Sequence, residues 1–160
     1  MKPTAYIETT VISYLTGRPS RDLIVAAHQQ ITIEWWERSR MNYDFYISEF
    51  VRIEASKGDL HAAEKRMNVV NKLTLLEITN RVRELATVIM QKGLLPRQAV
   101  EDAFHISTAT VHCLDYLVTW NCKHIANAAK RGTIELICRR QGFDPPVICT
   151  PEQLPPRSPI

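Results

Sequence analysis

Short apolar segments alternate along this chain with longer segments in which apolar residues recur at helical spacing. The short segments predict strands at 5–8, 45–48, 73–79, 116–119 and 147–149. The longer segments predict helices at 21–40, 50–57, 60–71, 81–92, 96–113 and 122–141. Strands that alternate with helices are joined by crossover connections. We therefore expect an α/β fold whose sheet is mostly parallel and covered by helices on both faces.

The first long helix has the clearest helical period. Ile24, Ala27, Ile31 and Trp35 recur at that spacing and predict the stripe that faces the core. Trp36 lies one position off the stripe, where it is a candidate anchor for a partner.

The composition is that of one globular domain. The chain has 160 residues, of which 45% are hydrophobic and 23% charged. We assign positions 1–150 to a single domain and 151–160 to a Pro-rich tail. No segment reaches the roughly 18 apolar residues of a membrane helix, and the first residues resemble a strand and not a signal peptide. We expect a cytoplasmic protein with no membrane contact, whose four cysteines are reduced and mostly buried.

The formal net charge of +3 is too small to indicate nucleic-acid binding by itself. The distribution of the charge is more informative. Arg18 and Arg21 follow the first strand, and other cations are concentrated in the last third of the chain: Lys123, Lys130, Arg131, Arg139 and Arg140. Such residues would hold a polyanionic substrate, but a solvated helix face explains them equally well.

Three carboxylates stand where structural residues would be expected. Glu8 ends the first strand segment, whereas Glu54 and Asp102 lie on the apolar faces of their helices. Their neighbours Glu49 and Glu101 point toward solvent on the same helical projection. Each of the three acids also has a structural alternative: a helix cap for Glu8, a surface ion pair with Arg52 or Lys57 for Glu54, and a helix-dipole contact for Asp102.

The carboxyl ends of parallel strands meet at one edge of a sheet, where ligands collect. Glu8 follows the first strand, Glu54 comes shortly after the second, and Asn121 follows the fourth. Clustered carboxylates repel one another unless a cation or a proton compensates, and oxygen ligands favour Mg2+ or Mn2+ over zinc. The corresponding chemistry is attack of metal-activated water on a phosphodiester. The sequence has no competing phosphate-binding glycine loop, nucleophile elbow or Cys/His catalytic signature.

The histidines add two candidates. His105 lies one turn after Asp102 and is placed either to orient that carboxylate, to contact a phosphate, or to serve a structural role. His124 follows Asn121 with Lys123 beside it, and both are candidates for substrate contact. The remaining histidines are predicted to be surface residues: His28, His61 and His112.

Four motifs together carry a family resemblance. They are IETTVISYL at 7–15, EASKG at 54–58, DAFHISTA at 102–109 and DYLVTWN at 115–121. With these motifs the chain resembles the PIN-domain nucleases, in particular the VapC-like toxins of bacterial type II toxin–antitoxin systems, over nearly its whole length. The DAFHISTA helix and the TWN strand end are fairly specific when they occur together.

This resemblance implies a three-layer α/β/α sandwich and a Mg2+- or Mn2+-dependent endoribonuclease. It also implies RNA as substrate, a cognate antitoxin and frequent homodimers. In this hypothesis the metal ligands are Glu8, Glu54 and Asp102, and Asn121 completes the catalytic set. The supporting or substrate-contacting residues are Thr10, Thr119, His105 and Lys123.

Two positions depart from the family pattern. Glu8 stands where the first ligand is usually Asp, and Asn121 stands where many members carry a fourth Asp. Asp115 cannot take the place of Asn121, because it begins the strand that Asn121 ends. These departures favour an alternative, a non-catalytic PIN-like module that binds nucleic acid or protein with weakened metal ligation. A small-molecule phosphohydrolase is a third hypothesis.

Overall fold

The structure is a computed structural model that describes residues 1–155. Within them, a five-stranded sheet has the order β3-β2-β1-β4-β5. Its strands are β1 (Thr4–Ile7), β2 (Asp44–Ser48), β3 (Thr74–Leu76), β4 (Tyr116–Val118) and β5 (Val147–Cys149). Each neighbouring pair is parallel. The predicted parallel α/β architecture is therefore confirmed.

Seven α-helices connect these strands within the described residues. They are α1 (Thr9–Thr16), α2 (Leu23–Ser39), α3 (Glu49–Ala55), α4 (Leu60–Val70), α5 (Asn80–Gln91), α6 (Val100–Val111) and α7 (Ala128–Arg140). The connections that contain α1–α4 lead from β1 to β2 and then to β3 at one edge of the sheet. Those that contain α5–α7 lead in the opposite direction, from β3 to β4 and then to β5 at the other edge. Because such crossovers are right-handed, the two groups cover opposite faces and form a three-layer sandwich. None of the described helices is long and apolar enough to span a bilayer.

The core forms where both layers meet the sheet. Fully buried side chains come from the central strands and from the helices on either face: Tyr6, Ile7, Ile12, Ile47, Leu85, Ile89, Ile106, Leu117 and Ile134. Strands covered on both faces bury both sets of alternating side chains, which explains their nearly continuous apolar sequence.

Helix α1 was not predicted. Its sequence, TTVISYLT, is rich in β-branched residues, which have low intrinsic helix propensity. The helix forms because Val11 and Ile12 are buried in the core and because Glu8 caps its first turn. Tertiary packing and the cap therefore override local propensity here.

The predicted core stripe of α2 is confirmed only at Trp35, which is 3% exposed. Ile24 is 70% exposed and Ala27 is also exposed, and the other buried positions of the helix are Thr32 and Ser39. Thr32 is tolerated inside because its hydroxyl accepts a hydrogen bond from the indole N–H of Trp120 (2.7 Å). A purely apolar stripe could not identify a buried threonine whose partner lies 88 positions away.

Helix α7 begins at Ala128, six positions later than predicted at 122. The intervening residues form turns around Asn121, whose backbone oxygen accepts hydrogen bonds from the N–H groups of Ile125 (3.1 Å) and Ala126 (2.8 Å). Asn127 then caps the helix through Ala129 N (2.9 Å). Similarly, β3 ends at Leu76 and not at 79, because Thr79 caps α5.

The described part of the C-terminal tail packs against α2. Leu154 is 6% exposed, and its carbonyl oxygen accepts a hydrogen bond from Trp35 Nε1 (2.7 Å). Positions 156–160 of the predicted tail lie outside the described residues. Among the cysteines, Cys138 and Cys149 are buried, but Cys113 and Cys122 are exposed, so the prediction of mostly buried thiols holds for only half of them.

Candidate active site at the carboxyl edge of the sheet

Glu8 occupies the first position after the central strand β1. Its backbone N–H donates to Val118 O (3.1 Å) and so extends the pairing of β1 with β4 by one residue. The side chain is only 2% exposed. Its Oε1 accepts hydrogen bonds from Thr10 N (3.2 Å), Thr10 Oγ1 (2.5 Å) and Thr119 Oγ1 (2.6 Å). Glu8 thus caps α1, as the structural alternative held, and also contributes a buried carboxylate to this edge.

Burial raises the pKa of Glu8. The charge of His105 and the two threonine donors oppose this shift, and the charge of Glu54 adds to it. Within residues 1–155, the hydrogen bonds to the carboxylate all end on Oε1. The second oxygen of a buried acid therefore remains available to a cation.

A buried hydrogen-bond chain holds Glu54. His105, fully buried, places Nε2 2.5 Å from Glu54 Oε1 and Nδ1 2.6 Å from the Tyr6 hydroxyl. That hydroxyl lies 2.7 Å from Ser48 Oγ. Thr9 Oγ1 donates to the same Glu54 oxygen at 3.0 Å. His105 thus hydrogen-bonds Glu54, and not Asp102 as considered from the sequence.

The pKa values in this chain shift in coupled directions. Burial opposes ionisation of both Glu54 and His105, but their mutual hydrogen bond and opposite charges outweigh it. The pKa of Glu54 is consequently lowered and that of His105 is raised. Burial also raises the pKa of Tyr6 well above its usual range, so its hydroxyl keeps its proton.

Asp102 and Asn121 join the same cluster from α6 and from the end of β4. The Asn121 side chain lies close enough to Asp102 to act on the pKa of that carboxyl. Burial raises the pKa of Asp102, while the charges of His105 and His124 and the polar side chain of Asn121 oppose the shift. Asn121 Oδ1 also accepts the backbone N–H of His124 (3.1 Å), so this residue shapes the turn as well as lying beside an acid.

The two acids predicted to face solvent differ in their surroundings. Glu49 pairs with Arg52 on the surface (3.8 Å). The Glu101 side chain is 40% exposed, with Oε1 3.9 Å from Lys57 Nζ, and it lies close enough to Glu54 to contribute to the lowered pKa of that carboxyl. Glu101 therefore lies at the rim of the cluster. In the described chain, neither Arg52 nor Lys57 forms an ion pair with Glu54, against the structural alternative for that acid.

Lys123 is exposed two positions after Asn121, beside the partly exposed His124. His124 Nδ1 is buried and has no hydrogen-bond partner among the described residues. Sequence reasoning missed the contributions of Tyr6, Ser48 and Thr9. A tyrosine inside an apolar central strand was the available signal, because a buried hydroxyl needs a partner.

The donors at this edge are carboxylate and amide oxygens, the set that a hard divalent cation prefers. Their chemistry therefore fits Mg2+ or Mn2+. Across positions 1–155, however, no three Asp, Glu, His or Cys side chains are already grouped to hold a metal ion.

Solved structures share this fold. One match is a chain of the crystal structure of VapBC2 from Rickettsia felis bound to a DNA fragment from their promoter, with a TM-score of 0.58 and 16% identity over 92% of this chain and 98% of that chain. Another is a chain of a toxin–antitoxin complex from Klebsiella pneumoniae, with a TM-score of 0.52 and 21% identity over 78% of this chain and 92% of that one. No family model and no curated protein matches the sequence. At these identities the likeness establishes the fold, and the predicted PIN-like sandwich is confirmed.

Proposed function

We propose that this protein is a metal-dependent endoribonuclease and the toxin of a type II toxin–antitoxin pair. One observation carries the proposal: Glu8, Glu54, Asp102 and Asn121 converge at the carboxyl edge of a PIN-like sheet. Solved structures that share the fold include a toxin–antitoxin complex and a VapBC2 complex, which supports an antitoxin as partner. A homodimer and a cytoplasmic location belong to the same proposal.

In this proposal Glu8, Glu54 and Asp102 hold Mg2+ or Mn2+, directly or through water. Asn121 completes the site or orients the attacking water. When bound, the ion supplies a water of lowered pKa and stabilises the charge on the leaving oxygen. Clustered carboxylates favour such an ion because it removes the repulsion between them.

The surrounding residues hold the acids in place. Thr10 and Thr119 fix Glu8 through its Oε1, and His105 fixes Glu54 from a fully buried position. Lys123, exposed after Asn121, contacts the phosphates of the bound strand. The preorganised hydrogen bonds reduce the conformational cost of assembling the site.

The decisive experiment is cleavage of a mixed RNA pool by the purified protein with Mg2+, Mn2+ or EDTA. We expect metal-dependent cutting that Asp102→Ala abolishes without unfolding the protein. Glu49→Gln is the matched control, because it removes an exposed acid that pairs only with Arg52 in the described structure. Full activity in folded Asp102→Ala, or no cutting by antitoxin-free wild type, contradicts the proposal.

The alternative is a PIN-like module that binds nucleic acid or protein without cleaving it. It is favoured by the longer side chain of Glu8, by the amide of Asn121, and by the absence of a ready group of three ligands in residues 1–155. Calorimetric titration with Mn2+ separates the two functions. Binding that is lost in Asp102→Asn supports the nuclease, whereas no binding to either protein supports the module.

A further inference from the structure

Three aromatic rings from separate elements stack beside the acidic cluster. His28 of α2 lies over Trp120, with ring centroids 4.1 Å apart and an interplanar angle of 15°. Tyr14 of α1 is 6.0 Å from Trp120 and 6.3 Å from His28. We call Tyr14, His28 and Trp120 the aromatic shelf. His28, predicted to be a surface residue, is partly exposed and stacks on Trp120.

The aromatic shelf is attached directly to the acidic cluster. The backbone N–H of Trp120 donates to Thr10 Oγ1 (2.9 Å), the hydroxyl that also donates to Glu8. Trp120 stands between Thr119, which donates a hydrogen bond to Glu8, and Asn121, whose side chain lies beside Asp102. Thr119 and Asn121 are the immediate chain neighbours of Trp120, and consecutive Cα atoms are about 3.8 Å apart. The indole is therefore attached to the backbone next to both of these residues.

The core covers the shelf only in part, with Trp120 packed against it as a partly buried side chain. Each of its three rings is partly exposed, whereas the indole of Trp35 on the same layer is only 3% exposed. The N–H of Trp120 is already satisfied by Thr32 Oγ1, so the indole has no donor left to offer and its accessible surface is apolar. An accessible aromatic surface with its polar group satisfied is suited to stacking.

Exposed cations flank the elements of the shelf along the chain. Arg18 lies two positions after the last residue of α1, Arg21 lies two positions before α2, and Lys123 follows Trp120 by three positions. Proteins that bind single strands combine stacking rings with cations along the phosphate path. Double-stranded RNA would not offer a base to such a shelf, because its bases are paired and stacked.

We propose that the aromatic shelf binds a nucleobase of single-stranded RNA next to the phosphodiester held at the acidic cluster. This inference rests on the proposed ribonuclease function and adds a specificity site to it. The shelf positions the strand by stacking, and Trp120 is a substrate-contacting residue that takes no part in bond cleavage.

The test is a binding measurement in the Asp102→Asn background, which suppresses cleavage in every variant. A fluorescein-labelled oligoribonucleotide is compared, by anisotropy in EDTA, with the same strand containing abasic riboses. We expect about tenfold tighter binding of the intact strand, the size typical of one stacked base. Trp120→Leu should bind the intact strand about tenfold more weakly and lose the discrimination, and Trp120→Phe should keep part of it.

The matched control is Trp36→Leu. Trp36 packs on Phe45, with ring centroids 4.9 Å apart, and is not part of the shelf, so its loss should preserve the discrimination between intact and abasic strands. Equal binding of intact and abasic strands by the Asp102→Asn protein with an unchanged shelf contradicts the proposal, whatever the Trp120 variants do. Unchanged discrimination in folded Trp120→Leu, checked by circular dichroism, also overturns it. The nuclease proposal stands or falls separately, on cleavage by the wild type.

Discussion

The two ends of the sheet each carry an acid beside β1, but the acids are held very differently. At the amino end, exposed Asp115 accepts both the N–H (2.8 Å) and the hydroxyl (3.0 Å) of Thr4 on one oxygen. Thr4 Oγ1 in turn accepts the N–H of Asp115 (3.0 Å). These reciprocal hydrogen bonds join the start of β4 to the start of β1 and leave the carboxylate in contact with water.

At the carboxyl end, Glu8 is buried among other charged groups. Its pKa is raised by burial, and Glu54 and His105 are close enough to act on it electrostatically. A protein that needed only to join strands would use the less costly arrangement at the amino end, because an isolated buried charge destabilises the fold. Position at the sheet edge, together with burial, therefore distinguishes a candidate catalytic acid from a structural one.

The largest expected contrast is in catalysis. Glu8→Gln keeps an oxygen for Thr10 and Thr119 but removes the charge, so we expect Mn2+-dependent RNA cleavage to fall at least about 100-fold. Asp115→Asn should stay within about threefold of the wild type and cost about 1 kcal/mol of unfolding free energy. Initial cleavage rates and urea denaturation measure the two effects. Comparable loss of activity in both variants would remove the distinction between the two ends.

The next contrast concerns the buried chain behind Glu54. Tyr6→Phe leaves His105 Nδ1 and Ser48 Oγ without their shared partner, so we expect a loss of about 2 kcal/mol in unfolding free energy. Tyr116→Phe removes a hydroxyl from the adjoining strand, where the side chain is partly exposed, and should cost less than about 0.5 kcal/mol. Urea denaturation at neutral pH compares them. A loss no larger in Tyr6→Phe than in Tyr116→Phe would mean that the chain does not stabilise this edge.

The smallest effect is a pH dependence that belongs to Glu8. The pKa of Glu8 is raised above the ordinary value of 4.5, so the unfolded chain loses this proton at a lower pH than the folded protein does. The wild type therefore loses stability as the pH rises from 4.5 through the folded pKa. Without metal, Glu8→Gln should match the wild type below pH 4.5. Above it, the variant should become more stable by about 1.4 kcal/mol for each factor of ten by which folding lowers the acid dissociation constant of Glu8. Urea titrations in EDTA across this range measure the difference, and a difference that is constant or of opposite sign would contradict the assigned burial effect.

Local patterns in the sequence were sufficient for the architecture. Strand β5 was predicted to the residue, at Val147–Cys149, and the other strands were placed with boundary shifts. A central parallel strand is apolar on both faces, so its signature is contained in a few consecutive residues. The same holds for Glu54, whose partial burial follows from its place on the apolar side of a short helix.

Local patterns failed where a distant contact decides the outcome. Helix α1 has a sequence with low helix propensity and forms through burial of Val11 and Ile12. The core-facing side of α2 was assigned correctly only at Trp35, because Thr32 is buried against Trp120. In both cases the missing information was the identity of a neighbour from another part of the chain.

Spacing along the chain was enough to determine the order of the strands and of every α-helix except α1, together with the residue types available for chemistry, because these are properties of consecutive positions. Which groups touch was decided by the packing of the layers: His105 meets Tyr6 across 99 positions and Glu54 across 51, and Thr119 meets Glu8 across 111. Hydrogen bonds and charge interactions act over a few ångströms. Their partners are therefore set by the folded arrangement of distant elements, which no short stretch of sequence specifies.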